Sequence, residues 1–539
     1  EVDPVRAESF LPLRGSMRLN HVVNRHSPNG DSCGIMGCDT EPLPGSLGGG
    51  SVPCSSDSSA QRCAGSTPVR RRAQVLASSE FPQDDSIFVV PVLGQYLVYA
   101  PLHNLAALVD GLAASRIRDS LLAPGGPRGG SLTELVALLR SKAQPAPLPP
   151  RGAFFPAFLG LIPTRGCNLG CAYCGFQAAE EPDDVMDLEL ARDAIDWYLG
   201  LAGDKGVRTA EIHFFGGEPF CAEEVLDFSF HFARLKASEV GCTVRFEVAT
   251  NGAFDDARCR WAADSLDSII LSLDGPASIQ DLHRPRRDGR PSSGRVARSA
   301  ALLSEGTAEL SFRACVTADT VEELPGIARW LCQEFRPVSV SLEPLQPSAP
   351  SRAAGLQPPD PWTFAQKYCE AASILEAHGV EPVYAAADTR ARRVTFCPAG
   401  QDVPIVSPDG TIAACYLLAR DWEDKGLDLR LGKLEGGSVF LDEDAVASAR
   451  GMNVWAKPCC SDCFCKWHCA GGCHVNHVLP DSSGSYDRLC IQTRILALRN
   501  ILKEMERDDL VVDLLKDRPA LERTILQASD AMASVELGA

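Results

Sequence analysis

The sequence predicts an α/β protein: a partial (β/α)6 TIM-like barrel, preceded by a small N-terminal accessory α+β domain and followed by a Cys-rich C-terminal domain. Three observations carry that expectation. Six strand-like runs alternate with helical stretches between residues 153 and 345, and such alternation implies parallel strands joined by helical crossovers. The proline-rich stretch AQPAPLPPRG separates them from a shorter strand-then-helix region, since clustered prolines neither extend a helix nor join a sheet interior. Finally, the 22 cysteines of this 539-residue chain crowd most densely between 390 and 495.

Taken in order, residues 1–80 are rich in Gly, Ser and Pro, show no sustained period, and are expected to be largely disordered, with Cys33, Cys38, Cys54 and Cys63 incidental to them. Residues 81–145 form the accessory domain: IFVVPV and QYLVYAP read as a hairpin, and LHNLAALVDGL and SLTELVALLRSK carry helical periodicity. The barrel, 153–345, runs through AFLGLIPT, AEIHFF, VRFEVAT, DSIILSLDG, ELSFRACVT and VSVSLEPL, with helical segments between them. In such barrels chemistry sits on the loops after the carboxyl ends of the strands. The Cys-rich domain spans 390–495, and 496–539 is a helical tail.

Composition narrows the function. Apolar residues at 45% and charged residues at 23% are globular values. A formal net charge of −18 argues against nucleic-acid or acidic-membrane partners, because phosphate contacts need an excess of Lys and Arg. No apolar run reaches the roughly 18–20 residues of a bilayer span, and EVDPVRAESF lacks the layout of a signal peptide. The expectation is a cytoplasmic protein whose cysteines bind metal rather than form disulfides.

Immediately after the first predicted barrel strand comes RGCNLGCAYCGF, which sets Cys167, Cys171 and Cys174 at CxxxCxxC spacing. Four thiolates saturate a [4Fe–4S] cluster, so three leave one iron open; a zinc site with a fourth ligand from elsewhere is the other reading of three cysteines. Further along, HFFGGEP follows the second strand, Asn251 closes the third, and Ser272 and Asp274 close the fourth, with Arg284 just beyond. Taken together, these residues resemble the radical SAM superfamily. The resemblance implies that the open iron chelates S-adenosylmethionine (SAM), and that one electron from the cluster releases a 5′-deoxyadenosyl radical that abstracts hydrogen from substrate. It further implies that Gly216, Gly217 and Glu218 lie at the methionine amino group, that Asn251, Ser272 and Asp274 meet the ribose and methionine moieties, that Arg284 pairs with the SAM carboxylate, and that Tyr173 lies near adenine. Each of these is open to a plain loop or packing role as well.

The second constellation comprises Cys397, then Gly410 and Cys415, then Cys460, Cys463, Cys469 and Cys473 at CxxCx5CxxxC spacing, and Cys490. All seven cysteines match the SPASM pattern, an extension found in a subset of the superfamily. By that resemblance Cys460, Cys463, Cys469 and Cys490 hold an outer [4Fe–4S] cluster, and Cys397, Cys415 and Cys473 an inner one whose fourth position is an open iron or a non-cysteine ligand. Cys459 and Cys465 fall outside the pattern. Cys221, Cys242, Cys259, Cys315, Cys332 and Cys369 read as small core residues.

The resemblance implies an oxidoreductase with three clusters and SAM, supplied with electrons by a flavodoxin or ferredoxin, acting on a peptide or protein, with a ribosomally made precursor peptide as the expected partner and a crosslink or oxidation as the outcome. Formylglycine formation is disfavoured, because Tyr416 stands where sulfatase-maturating relatives place an Asp base. Residues 86–142 are similar to the winged-helix module that binds leader peptides by strand addition; a purely structural role remains open. Two rival classes remain: a dehydrogenase of a small-molecule alcohol or amino sugar, and a non-catalytic iron–sulfur sensor or scaffold. No catalytic acid or base is assigned.

Overall fold

The structure is a computed structural model describing residues 86–122, 131–176, 184–417, 419–477 and 486–527, together with the backbone of Leu11–Pro12. Apart from those two residues, the 1–80 segment and its four cysteines lie outside the described residues, as does 528–539.

The N-terminal unit is an antiparallel sheet of β1 (Phe88–Val92), β2 (Gln95–Ala100) and β3 (Leu105–Val109), with Leu11–Pro12 pairing along the outer edge of β3. Two helices follow, α1 (Gly111–Leu122) and α2 (Ser131–Arg140). Here the expected helix over LHNLAALVDGL is corrected. Leu and Ala favour helix, but Asn104 turns the chain at φ +55° and LAALV then pairs residue by residue with β2, so cross-strand pairing overrides propensity.

Beyond the linker, β4 (Leu159–Leu161), β5 (Thr209–Phe214), β6 (Thr243–Thr250), β7 (Ser268–Ser272), β8 (Glu309–Val316) and β9 (Ser339–Pro344) run parallel in chain order, as a sequential βα repeat dictates. The connecting helices are α3 (Leu188–Asp204), α4 (Glu223–Val240), α5 (Asp256–Ser265), α6 (Ala277–His283), α7 (Ser293–Leu303) and α8 (Leu324–Glu334). Their starts are legible locally: Asp187 caps α3 by accepting from the Glu189 amide, and Asp255 caps α5 by accepting from Arg258. The helix-facing side chains of the strands, among them Ile212, Phe214, Phe246, Val248, Leu310 and Phe312, are buried; each contributes about 2 kcal/mol relative to exposure.

The sheet continues at both ends. After α9 (Pro361–Ala377), β10 (Glu381–Val383) adds a seventh parallel strand beside β9. On the other side β11 (Ile405–Val406) runs parallel to β4, and β12 (Thr411–Ala413), β13 (Arg430–Glu435) and β14 (Ser438–Leu441) complete 11 strands. The barrel and the cysteine-rich region therefore share one sheet. A long helix, α10 (Arg488–Glu504), then α11 (Asp508–Lys516) and α12 (Arg518–Leu526), close the described chain. The N-terminal sheet docks onto this end: Thr524 donates to the Pro91 carbonyl at 2.7 Å, and the Tyr99 hydroxyl meets His468 at 2.5 Å.

Candidate functional site

Cys167, Cys171 and Cys174 lie on the loop leaving β4, all three partly exposed. Main-chain hydrogen bonds pin that loop from two sides. The Gly170 amide donates to the Pro285 carbonyl and the Ala172 amide to that of His283, both at 2.8 Å, so the cysteine loop and the Arg284 segment are fixed to one another. From the other side, the Gly217 amide donates to Thr164 at 3.0 Å and the Glu218 amide to Gly166 at 2.8 Å. The two glycines are needed for this approach. A Cβ on Gly217 would fall 1.9 Å from the Gly166 oxygen, and Gly216 has φ +140° with a hypothetical Cβ 2.6 Å from the Thr164 oxygen.

Glu218 is buried beneath that loop. It accepts from the Asn251 amide at 2.6 Å, the Thr250 hydroxyl at 2.7 Å and the Phe220 amide at 3.1 Å. Burial lifts its carboxyl to about 7 despite those donors. The carboxylate thus ties β5 to β6. Asn251 carries the link onward, its amide reaching the Cys167 sulfur at 3.4 Å and the Asn168 side chain at 2.8 Å.

Asp274, also buried, is the second hub. One oxygen accepts from the Tyr173 hydroxyl at 2.6 Å and lies 3.2 Å from His283 Nδ1; the other accepts from Arg284 Nε and the Cys315 amide, each at 3.0 Å. Burial pushes this carboxyl up, but Arg284, His283, Tyr173 and the Cys315 amide outweigh it and hold the group below its ordinary range. Arg284 lies over the Tyr173 ring, 5.2 Å from its centroid. Tyr173, Asp274 and Arg284 are therefore one unit, while Ser272 ends β7 paired in register with Arg313.

The inner face of the sheet holds residues the sequence reading missed. Cys315, expected in the core, is only partly buried and shares a register position with Glu343, as Arg313 does with Ser341. Burial raises both the Cys315 thiol and the Glu343 carboxyl. The signal was present: parallel strands covered on both faces read as continuous apolar runs, whereas ELSFRACV and SVSLEP alternate. Cys221, also expected in the core, is exposed.

In the C-terminal region Cys460, Cys463, Cys469 and Cys490 line a single cavity together with Cys459, Cys465, His477, Tyr486 and Arg494. Asp487 caps α10 and accepts from the Cys490 amide at 2.9 Å, which sets that thiol facing the others. The His477 ring nitrogen lies 3.1 Å from Asp487 and 3.4 Å from the Cys490 sulfur. Cys397, Cys415 and Cys473 form a separate group, in which Cys473 raises the proton affinity of Cys397, and Cys397 and Cys473 raise that of Cys415. Burial lifts Cys171 to about 11 and Cys397 and Cys469 to about 12, so loading metal on these thiols must release protons. Cys463 is instead held below the ordinary thiol range by a hydrogen bond from Cys465 and, against burial, by Arg494.

These donor sets fit iron–sulfur clusters. Three thiols on one loop, and the cysteine sets of the C-terminal region, are the donor type that such clusters take.

Comparison with known proteins agrees. Residues 161–331 match the profile of the radical SAM superfamily, and this stretch is a radical SAM domain. The chain thus carries the domain by which such enzymes bind and cleave SAM at an iron–sulfur cluster, and His477, Asp487 and Cys490 form a second group that could hold a metal. It is 27% identical over 379 residues to a serine-type anaerobic sulfatase-maturating enzyme of Klebsiella aerogenes, a span of 66% of this chain and 87% of that one. A cysteine-type anaerobic sulfatase-maturating enzyme of Clostridium perfringens is 26% identical over 174 residues, 31% of this chain and 46% of that protein. The structure of native anSMEcpe with bound AdoMet and the Cp18Cys peptide superposes with a TM-score of 0.53 at 19% identity, covering 66% of this chain and 99% of that one. That superposition shows a shared α/β fold. Among the described residues no helix is long and apolar enough to cross a membrane.

Proposed function

We propose that this enzyme is a peptide or protein maturase that abstracts hydrogen from a polypeptide side chain, leaving a crosslink or an oxidised residue. The observation that carries the reading is the presence in one chain of a three-cysteine loop at the end of β4 and a separate cysteine-lined cavity beyond the sheet; the likeness to sulfatase-maturating enzymes supplies the substrate class.

In this reading Cys167, Cys171 and Cys174 hold the SAM cluster. Cys460, Cys463, Cys469 and Cys490 hold the outer auxiliary cluster, and Cys397, Cys415 and Cys473 the inner one. When bound, SAM and its cluster supply the radical; the chain's own residues supply position and exclusion of water. Arg284, oriented by Asp274, presents its guanidinium edge to the SAM carboxylate. Tyr173, fixed by the same carboxylate, offers an apolar face to adenine, and Ser272 and Asn251 offer polar groups at the strand ends. Gly216 and Gly217 keep that floor free of side chains, and Glu218 and Asn251 hold it against Cys167. Tyr416, partly buried with its ring centroid 4.7 Å from that of Phe215, follows Cys415 where the relatives' motif has Asp and offers no carboxylate base. A flavodoxin or ferredoxin is the electron donor, and a reducing cytoplasm the setting.

The test is anaerobic reconstitution with iron and sulfide, then dithionite, SAM and candidate precursor peptides, with mass spectrometry of both 5′-deoxyadenosine and peptide. Replacing Cys167, Cys171 and Cys174 by Ala should abolish SAM cleavage and leave about eight of about twelve irons, four per cubane. Cleavage surviving in that variant overturns the cluster assignment; turnover of an alcohol or amino sugar without any peptide overturns the maturase reading.

A further inference from the structure

Arg494 follows Cys490 by four residues on α10 and therefore faces the same cavity. It is among the most deeply buried side chains of the chain, 1% exposed. Its Nη1 donates to the Cys463 sulfur at 3.0 Å, its Nε to the Ile525 carbonyl at 2.8 Å and its Nη2 to the Gln527 carbonyl at 2.9 Å. Its flat faces lie between the rings of Tyr486 and Phe464, with centroids 4.0 and 4.6 Å away. Three edges and both faces of the guanidinium are thus fixed, with one N–H aimed at a sulfur. Burying a cation is costly unless anionic partners and hydrogen bonds offset it, and a cavity of thiolates is such a partner.

We propose that Arg494 is a positioning residue that raises the reduction potential of the outer auxiliary cluster. The inference rests on the reading that Cys460, Cys463, Cys469 and Cys490 hold that cluster. One-electron reduction makes no bond and breaks none. It adds one negative charge to the cavity, which the Arg494 N–H on Cys463 offsets more strongly than it offsets the oxidised form. Hydrogen bonds to the sulfurs and restricted solvent are the levers by which a protein moves such potentials, and here both come from one side chain held by the last described helix. The consequence is an outer centre poised to accept an electron more readily than its thiolate ligands alone would allow.

The experiment uses the full chain carrying Cys167, Cys171 and Cys174→Ala, so that the auxiliary centres alone are observed, with iron counts and EPR-monitored redox titration. Arg494→Met should lower one auxiliary potential by at least a tenfold change in the reduction equilibrium, about 59 mV for one electron, and leave the other in place. Arg494→Lys should restore part of that shift. Superimposable titrations of parent and Arg494→Met, with clusters loaded in both, overturn the role of Arg494. A parent whose iron count does not fall by about four on Cys463→Ala overturns the cluster reading instead. Hyperfine coupling of arginine 15N to the reduced auxiliary cluster, expected in the labelled unmutated chain and lost from it on Arg494→Lys, decides the matter if Arg494→Met does not load; its absence from the unmutated chain overturns the proposal.

Discussion

The two cysteine regions solve opposite problems with the same side chain. The Cys167–Cys174 loop stands at the end of a strand, its thiols partly exposed, and takes its shape from main-chain hydrogen bonds to the glycine turn and the Arg284 segment. The Cys460–Cys490 group lies in a cavity whose walls include a helix N-terminus, the Tyr486 ring and a buried arginine. The two sets of thiols are thus held by different means: main-chain hydrogen bonds between loops in the first, and a helix cap with a buried guanidinium in the second.

The sharpest way to break this contrast is Gly217→Ala. The new Cβ must displace the Gly166 carbonyl, since it would start 1.9 Å away. A displacement of about 1 Å in the loop costs on the order of a hundredfold in rate, so 5′-deoxyadenosine production should fall at least that far while the auxiliary iron content stays at about eight. Asp274→Asn comes next. It leaves the Arg284 guanidinium half-buried without its counter-charge, and removing one partner of a buried ion pair costs about 3–5 kcal/mol. Chemical denaturation and SAM binding should both register it.

A pH experiment isolates the Glu218 hub. Its carboxyl is raised from an ordinary 4.5 to about 7, chiefly by burial. In that interval the folded chain binds the proton more tightly than the unfolded chain. The stabilisation is therefore fully present below about pH 4.5 and lost as pH rises to 7, an amount of about 3 kcal/mol. The urea midpoint of the metal-free chain should fall between pH 5 and pH 8, and Glu218→Gln should remove most of that slope. The smallest expected effect is that of Cys459→Ser. This thiol lines the cavity but stands outside the seven-cysteine pattern, so iron content should stay within one of the unmodified chain; a loss of about four irons would make it a ligand.

Much of this was legible in the sequence because cysteine spacing and βα alternation are local. The six strands lie where their apolar runs place them, and RGCNLGCAYCGF follows the first. What escaped the reading depends on distant partners. Arg494 in IQTRILALRN looks like a solvated helix residue until the Ile525 and Gln527 carbonyls arrive to bury it. Glu218 and Asp274 are expected beside SAM by resemblance, but their part as hydrogen-bonding hubs depends on the neighbouring strand ends. The third strand of the N-terminal sheet has a helical composition and is strand because β2 lies beside it. Cys315 reads as a small core residue until the register sets it beside Glu343.

The continuous sheet also orders events in time. The inner edge of β4 pairs with β5, but its outer edge is met only when Ile405 and Val406 come to lie beside Gly160 and Leu161. At ordinary synthesis rates that stretch takes about 10 to 50 s to emerge from a ribosome. Through that interval the nascent barrel carries the cysteine loop on a strand with one bare side. A cell making this enzyme must therefore shield an unfinished edge and three free thiols together, and metal loading fits best after the last third of the chain has arrived.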